Sequence, residues 1–375
     1  MFKQVSFNRK KPLDFRRWSR KGYAVFVSRH NEVIISTCAV SITSGLLPKN
    51  KKFNKMTYTI SHLEEKVLVG EHINAEEALW LAQYAEKEAL YAAANRIREY
   101  FCGNRMDLCT ILNARSGRCT EDCKWCSQSS YHKTNVKVYE LIDRQEAINQ
   151  AQINKKAGAH KFSLVTSGHD ISHKNLDQLC SIYQDIAKTN DIHLCASMGL
   201  LDTEKLQKLV AVGVKMYHCN LETAPSYFST LCTTHTVEEK ITTLKLARAQ
   251  GMTLCSGGII GLGETMAQRV EMAIALQELD VESIPLNLLS AIPGTDLQDA
   301  APVSDEEILT TFAMFRFTNP KSTIRFGAGR IKIQHMQERA LKAGMNAALI
   351  GDLLTTIGTK MDEDVINFRK AGFEC

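Results

Sequence analysis

Short apolar runs alternate with longer segments of helical periodicity along most of the chain. The runs are four to eight residues long and end in Gly, Pro, Ser or Asn, which is typical of buried strands. Predicted strands cover 108–112, 161–166, 192–198, 214–221, 253–259, 283–289, 323–326 and 346–350. Predicted helices cover 74–100, 143–156, 174–188, 203–212, 236–250, 265–279, a segment from Ser304 onward, and 333–342. Such alternation indicates a parallel sheet with right-handed crossovers.

Eight strands favour a closed (β/α)8 barrel over a doubly wound open sheet. In such barrels the chemistry lies at the carboxyl ends of the strands, on the loops that lead into the helices. The helix predicted at 74–100 precedes the first strand, with Asn74 as its N-cap. We therefore expect a barrel domain over 57–375 that carries one N-terminal helix.

The basic charge is concentrated in the first 56 residues. This leader contains thirteen Lys or Arg and two acidic residues, whereas the whole chain has a net charge of +5. The body therefore gives no indication of nucleic-acid binding. The leader's apolar stretch, 33–47, is too short and too polar to cross a bilayer. The leader is either an organelle transit peptide or, as we favour, untranslated upstream sequence with Met56 as the true start, and we expect no fold of it.

Three cysteines, Cys119, Cys123 and Cys126, stand in a CxxxCxxC run in the loop after the first predicted strand. Thiolates at this spacing can hold an iron–sulfur cluster, and three ligands leave one iron of a four-iron cluster open to a small molecule. A structural zinc site would need a second ligand pair, which is missing at suitable spacing. Twelve cysteines in 375 residues are also too few for a disulfide scaffold.

Polar residues recur on the predicted strands, where a packed barrel is normally apolar. Because buried polar groups need partners, these residues predict a second polar site beneath the cysteine loop. They are Ser163, Cys195, Ser197, His218, Asn220, Glu222, Cys255, Gly257, Asn287 and Arg325.

Taken together, five segments resemble the biotin synthase family of radical S-adenosylmethionine (SAM) enzymes. The resemblance spans roughly residues 58–375, and the motifs occur in the family's order. They are 119–130 with its CxxxCxxC run, 217–223 (YHCNLET), 255–264 (CSGGIIGLGE), 284–287 (IPLN) and 325–330 (RFGAGR).

The resemblance implies a role for each matching residue. Cys119, Cys123 and Cys126 would hold a [4Fe–4S] cluster with SAM on its open iron, and Trp125 would lie beside the adenine. Glu222 would lie near the SAM ribose, Asn220 and Asn287 would contact the substrate, and the adenosine would lie along Gly257, Ile259, Gly261 and Glu264. Cys195, Cys255 and Arg325 would ligate an auxiliary cluster, [2Fe–2S] in the family, that provides sulfur.

The chain departs from the family pattern at Ser163, where the family has a third auxiliary-cluster cysteine. A hydroxyl is a harder and less acidic iron ligand than a thiol. Three outcomes are open. In the first, Ser163 serves as a ligand nonetheless; in the second, another residue, an external sulfide or an altered cluster fills its place; in the third, no auxiliary cluster forms. His218 and Cys219 are weak candidates for that replacement. We expect an altered cluster with sulfur insertion retained, and we expect ordinary thiols at Cys102, Cys109, Cys180, Cys232 and Cys375.

The implied activity is radical insertion of sulfur into dethiobiotin to give biotin. A reductant such as flavodoxin or ferredoxin, a homodimer and a cytoplasmic location would accompany it, or a mitochondrial location if the leader is a transit peptide. A second interpretation keeps the radical chemistry without sulfur insertion, as in methylornithine synthase or the hydrogenase maturase related to the family. A third is an iron–sulfur carrier without enzymatic activity. We expect no partner among nucleic acids or membranes.

Overall fold

A computed structural model describes residues 24–27, 33–36, 58–355 and 358–375. The chain divides into two units, Met1–Asn54 and Lys55–Cys375. In the first unit, β1 (Ala24–Val27) and β2 (Val33–Ser36) pair antiparallel, with Ala24 opposite Ser36. The remainder of the predicted leader lies outside the described residues.

The second unit contains the predicted barrel. Its strands are β3 (Asp107–Arg115), β4 (Lys161–Thr166), β5 (His193–Ser197), β6 (Met216–His218), β7 (Thr253–Cys255), β8 (Gly258–Ile260), β9 (Ser283–Leu288), β10 (Thr323–Phe326) and β11 (Ala347–Leu349). All of their pairings are parallel, and the sheet closes because β10 pairs with β9 and with β11, which in turn pairs with β3. The predicted (β/α)8 fold is thus confirmed.

The fifth barrel position is divided between β7 and β8, whereas the sequence pattern predicted one strand over 253–259. Both short strands pair with β9, and Gly257 lies at the break between them. A Cβ atom on Gly257 would lie 2.0 Å from the carbonyl oxygen of Pro285. The break therefore needs a residue without a side chain, so that the two backbones can approach.

Twelve α-helices surround the barrel in the described part of the chain: α1 (Ile60–Leu68), α2 (Ala75–Tyr84), α3 (Lys87–Cys102), α4 (Arg144–Lys156), α5 (His173–Thr189), α6 (Thr203–Ala211), α7 (Pro225–Phe228), α8 (Val237–Ala249), α9 (Met266–Glu278), α10 (Asp305–Thr318), α11 (Gln337–Lys342) and α12 (Met361–Lys370). A 3₁₀ helix, Arg330–Met336, precedes α11. No helix of the described residues is both long enough and apolar enough to span a bilayer.

The single N-terminal helix predicted at 74–100 is wrong in one respect. Asn74 caps α2 in a capping box as expected, but α2 ends at Tyr84 and a second helix begins at Lys87. The carboxylate of Glu86 accepts hydrogen bonds from the backbone N–H groups of Glu88 and Ala89, so it caps α3. The pattern also missed α1, which packs against α3 with Leu63 and Val67 fully buried.

Candidate active site

The CxxxCxxC run lies in the loop that leaves β3 at the carboxyl end of the barrel. Backbone hydrogen bonds fold this loop upon itself: Cys119 N donates to Gln128 O at 3.0 Å, and Ser130 N donates to Cys119 O at 2.8 Å. Cys126 N also donates to Cys123 O at 3.0 Å. The short-range bonds bring the three predicted cluster cysteines to one side of a compact loop.

A second segment, 231–236, lies between α7 and α8 and forms hydrogen bonds to the same loop. Lys124 N donates to Leu231 O at 3.0 Å, and Thr233 N donates to the Asp122 carboxylate at 2.8 Å. Although burial opposes it, these donated hydrogen bonds lower the pKa of Asp122 below its usual value. The aspartate thus stays ionised and fastens the cysteine loop to the loop that precedes α8.

The surroundings of the three motif thiols raise their pKa values and so disfavour the thiolate form. Burial raises the pKa of Cys126 to about 11 and also raises the pKa of Cys119. A hydrogen bond to Cys232, and then burial, raise the pKa of Cys123. Binding iron must therefore displace protons from these thiols, as is general for thiolate sites.

Cys232 and His235 lie beside Cys123, a proximity that the sequence analysis missed. The Sγ atoms of Cys123 and Cys232 are 3.6 Å apart, and Nδ1 of His235 is 3.3 Å from Cys232 Sγ. The three ligand atoms lie within 4.8 Å of one another. A sequence separation of more than one hundred residues left no spacing signal by which this cluster of donors could be predicted.

Two adjoining cavities lie beneath the cysteine loop. The upper cavity, about 190 Å³, is bounded by the three motif cysteines, and the lower one, about 350 Å³, occupies the barrel interior. Six residues singled out by the sequence line both cavities, namely Trp125, Cys126, Ser197, His218, Asn220 and Glu222. The sequence missed the buried Lys240 of the upper cavity, and it considered Cys219, which lines the same cavity, only as a weak candidate for the auxiliary cluster.

Asn220 and Glu222 are fixed by the break between β7 and β8. Gly257 N donates to Asn220 Oδ1 at 3.0 Å, and Glu222 N donates to Gly257 O at 3.0 Å. Glu222 has a φ of 70°, in the left-handed region that non-glycine residues seldom occupy. Strained backbone of this kind is found most often at functional sites, because the surrounding structure must enforce it.

Asn287 lines the lower cavity and is held on both sides by backbone. Its Nδ2 donates to Gly258 O at 3.0 Å, and its Oδ1 accepts a hydrogen bond from Ala328 N at 2.8 Å. The amide thus joins β8 to the segment after β10 across β9, and its position is determined without a ligand.

Of the residues predicted to lie along the adenosine, Ile259, Gly261 and Glu264 belong to β8 and the turn after it. Ile259 lies in β8, and Gly261 N donates to the Glu264 carboxylate at 2.9 Å. Glu264 is buried in an ion pair with Arg269 at 2.6 Å. None of the three is among the described residues that line the two cavities. These residues support the strand and the turn, and their predicted contact with adenosine stays a prediction.

The lower cavity contains Ser163, Cys195, Cys255 and Arg325, as the sequence analysis predicted. Arg325 donates from Nη2 to Asp107 Oδ1 at 2.6 Å, and Lys161 pairs with the other carboxylate oxygen, also at 2.6 Å.

The side chain of Arg325 is charged and incompletely satisfied. Burial opposes the charged form, but the thiol of Cys109 and the carboxylate of Asp107 raise the pKa of Arg325 above its usual range. Its Nε lacks a hydrogen-bond partner among the described residues, as does Ser163 Oγ. Next to them, burial lowers the pKa of His218 to about 4, so this imidazole is neutral and lies 3.2 Å from Cys255 Sγ.

These donors fit two iron–sulfur clusters. Three thiols converge in one loop above an open cavity, which suits a [4Fe–4S] cluster with a free iron. Below it, further buried thiols and two residues that each have a polar atom without a partner among the described residues line the lower cavity. Buried polar groups left unpaired cost about 1–3 kcal/mol each, which favours a bound group in that space.

Family models and curated proteins agree on what the chain resembles. Residues 114–276 match the Radical SAM superfamily, and residues 285–374 match the Biotin and Thiamin Synthesis associated domain. Biotin synthase of Parabacteroides distasonis is 49% identical over 316 residues, which are 84% of this chain and 97% of that protein. Biotin synthase of Porphyromonas gingivalis is 48% identical over 84% of this chain and 96% of that protein.

Solved structures show the same fold in more distant proteins. Methylornithine synthase has a TM-score of 0.73 at 20% identity, with 83% of this chain and 96% of that one covered. A maturase of the [FeFe]-hydrogenase also has a TM-score of 0.73, at 17% identity, with coverage of 85% and 77%. The two enzymes of the second interpretation are thus similar in fold alone, whereas the curated relatives match in sequence over nearly their whole length. The chain belongs to the biotin synthase family of radical SAM enzymes.

Proposed function

We propose that this enzyme inserts sulfur into dethiobiotin to give biotin. The observation that carries the proposal is the pair of adjoining cavities, with the motif thiols above and a thiol-lined cavity in the barrel below. A substrate placed where the cavities meet, beside Asn220 and Glu222, would lie between the two predicted cluster sites.

Membership of the family brings a [4Fe–4S] cluster, SAM and an auxiliary iron–sulfur cluster. When bound, these groups supply the electron, the radical precursor and the sulfur, which no side chain can supply. We assign Cys119, Cys123 and Cys126 to the first cluster, and Cys195, Cys255 and Arg325 to the auxiliary one. Trp125 and Glu222 line the space between them, where SAM would lie.

The protein's own contribution is placement and exclusion of water. Asn220 and Asn287 are each fixed by backbone hydrogen bonds, so they present amide groups to a ureido or carboxylate group at little entropic cost. The lower cavity is walled by apolar side chains between these amides, among them Ile111, Val165 and Leu349. A dry pocket with few fixed polar groups suits a small substrate whose reacting carbons are unactivated.

The partners proposed are dethiobiotin as substrate, a flavodoxin or ferredoxin as reductant, and a second copy of the chain in a homodimer. The named relatives are bacterial, which supports a cytoplasmic site of action and gives the mitochondrial alternative no support. The cysteines of the described residues are free thiols, as a reducing compartment would maintain them.

The experiment compares Cys123→Ala with Cys232→Ala after anaerobic reconstitution with iron and sulfide. Cys123→Ala is expected to abolish formation of 5′-deoxyadenosine from SAM, because one of three cluster ligands is removed. Cys232→Ala removes a thiol only 3.6 Å away and is expected to keep SAM cleavage and biotin formation. Wild-type deoxyadenosine formation by Cys123→Ala would exclude the cluster assignment. Loss of cleavage in a folded Cys232→Ala would make Cys232 a ligand.

A further inference from the structure

The lower cavity contains a third thiol that the family pattern does not assign. Cys109 on β3, expected from the sequence to be an ordinary thiol, lines the same cavity as Cys195 and Cys255 and is buried as they are. Arg325 lines the same cavity as these three thiols. The barrel interior thus contains as many thiols as the family's auxiliary site, although Ser163 replaces one cysteine of that site.

The strand register places the three thiols and the guanidinium in one layer of the barrel. In a (β/α)8 barrel, each interior layer takes four side chains from alternate strands, and a shear of eight raises the register by two residues for every second strand. Alternate strands here are β3, β5, β7 and β10. The register pairs are Cys109–Lys161–His193, Cys195–Met216–Thr253, Cys255–Ser283–Thr323 and Arg325–Ala347–Asp107.

Each of these steps ends two residues before the next member of the set. His193 precedes Cys195 by two, Thr253 precedes Cys255, Thr323 precedes Arg325, and the last step returns from Asp107 to Cys109. The circuit closes after an advance of eight residues, as the barrel geometry demands. Cys109, Cys195, Cys255 and Arg325 therefore form a single interior layer, the thiol layer.

Ser163 belongs to a different layer. It stands on β4, pairs in register with Ile111 on one side and Cys195 on the other, and so lies one step nearer the open end than the thiol layer. Its hydroxyl has no hydrogen-bond partner among the described residues. At the position where the family has a ligating cysteine, this chain therefore presents a hydroxyl to the cavity and no thiol.

We infer that Cys109 provides the third thiolate of the auxiliary cluster, in place of the cysteine that Ser163 replaces. The inference rests on the proposed function, since it assumes that an auxiliary cluster forms. On loading, Cys109, Cys195 and Cys255 each lose one proton to solvent and form one Fe–S bond, with no change in the oxidation state of sulfur. Three thiolates in one layer replace a set that the family distributes over two.

The fourth member of the layer makes the set electrostatically balanced. Arg325 is paired with Asp107, two residues before Cys109 on the same face of β3, and Asp107 also binds Lys161. Two cations and one carboxylate leave a net positive charge directly under the thiols. Such a floor offsets the negative charge that buried thiolates acquire when they bind iron.

The test compares Cys109→Ala with Ser163→Ala, and with Cys180→Ala as the matched loss of a buried thiol on α5, outside the barrel. Each is reconstituted anaerobically with iron and sulfide, and iron content and Mössbauer spectra are measured together with SAM cleavage. Cys109→Ala should lose the iron and the spectrum of the auxiliary cluster while SAM cleavage persists. Ser163→Ala and Cys180→Ala should keep both clusters.

Two results would overturn the inference: a full auxiliary spectrum in Cys109→Ala, or its loss in folded Ser163→Ala. If Cys109→Ala does not fold by circular dichroism, Cys109→Ser, which keeps the volume, replaces it with the same expectation. The double variant Cys109→Ser with Ser163→Cys should regain the auxiliary cluster, because the thiol then stands at the family's position. A folded double variant that does not regain the cluster would count against the inference.

A further pair of variants separates failure of this inference from failure of the proposed function. Cys195→Ala and Cys255→Ala should each lose the auxiliary cluster and biotin formation. If neither loses iron, no auxiliary cluster exists at this site and the proposed function fails. If both lose iron and Cys109→Ala does not, the cluster stands and the ligand inference alone is wrong.

Discussion

Asp107 shows how one buried carboxylate determines the charge beneath the lower cavity. Burial raises the pKa of Asp107, but the charges of Arg325 and Lys161 together lower it by more. The pKa of Asp107 therefore lies below its usual value of 3.8. Removing one partner of a buried ion pair leaves uncompensated charge and typically costs 3–5 kcal/mol. Because Asp107 retains some solvent exposure, we expect the low end of that range.

Asp107→Asn should lower the free energy of unfolding of the metal-free chain by about 3 kcal/mol at pH 7. A carboxylate with a lowered pKa contributes fully above its unfolded pKa, and the contribution is lost as the pH falls through its folded pKa. The difference from wild type should therefore shrink below pH 4, as measured by urea unfolding without oxygen. Asp185→Asn is the control and should change stability much less, because its partner Arg144 is half exposed whereas Arg325 is buried.

Cys109 illustrates what single residues reveal from sequence and what they do not. Cys119, Cys123 and Cys126 were predicted as ligands because they are close in sequence, at the CxxxCxxC spacing. Cys109 and Cys232 have no such spacing, and the sequence interpretation grouped both with ordinary thiols. Cys109 enters the thiol layer only through the stagger of eight strands, and Cys232 approaches Cys123 only because two loops are joined by hydrogen bonds of Asp122.

The break between β7 and β8 positions the polar wall of the site. Gly257 donates to Asn220 and accepts from Glu222, and it leaves no space for a Cβ against Pro285. The apolar run at 253–259 predicted a continuous strand because both halves have strand character. The break follows from the approach of β9, which local pattern does not encode.

Gly257→Ala should therefore shift the β7–β8 backbone and weaken SAM binding while costing about 1–3 kcal/mol of stability. Gly70→Ala is the control, since its added Cβ meets no atom within 4 Å and only the left-handed backbone, at φ 90°, is strained. Both variants should lose some stability in thermal unfolding. Only Gly257→Ala should lose SAM affinity in calorimetric titration of the reconstituted protein; unaltered affinity would show that the break does not position the site.

Helix ends were the least predictable elements for a related reason. Asn74, the predicted N-cap, forms a capping box, and Thr236 and Thr265 form capping boxes too, each with an acid or amide three residues on. The N-cap of α3 is Glu86 instead. Because glutamate favours the helix interior, the sequence pattern predicted a helix that continues through this residue. One continuous helix was predicted there because its cap has no compositional signature.

The closed barrel was predictable as a whole because its alternation of strands and helices repeats over nearly the entire body. Its closure also makes the site a property of the whole domain. Thiols from β3, β5 and β7 face one another only when β11 completes the circuit back to β3. The charge asymmetry of the sequence predicted a leader separate from this domain, which stays a prediction; the structure divides into the units Met1–Asn54 and Lys55–Cys375.

Removing residues 1–55, so that the chain starts at Met56, should leave a folded enzyme that binds two clusters and makes biotin. The matched region is 84% of this chain and 97% of the biotin synthase of Parabacteroides distasonis. That relative therefore lacks a counterpart for most of the unmatched part of this chain. A longer deletion, through Gly70, removes α1 and with it the buried Leu63 and Val67 and the pairs Arg96–Glu64 and Lys66–Glu77. That truncation should unfold at a markedly lower temperature. Equal damage from both deletions, in thermal unfolding and iron content, would place the leader within the folded domain.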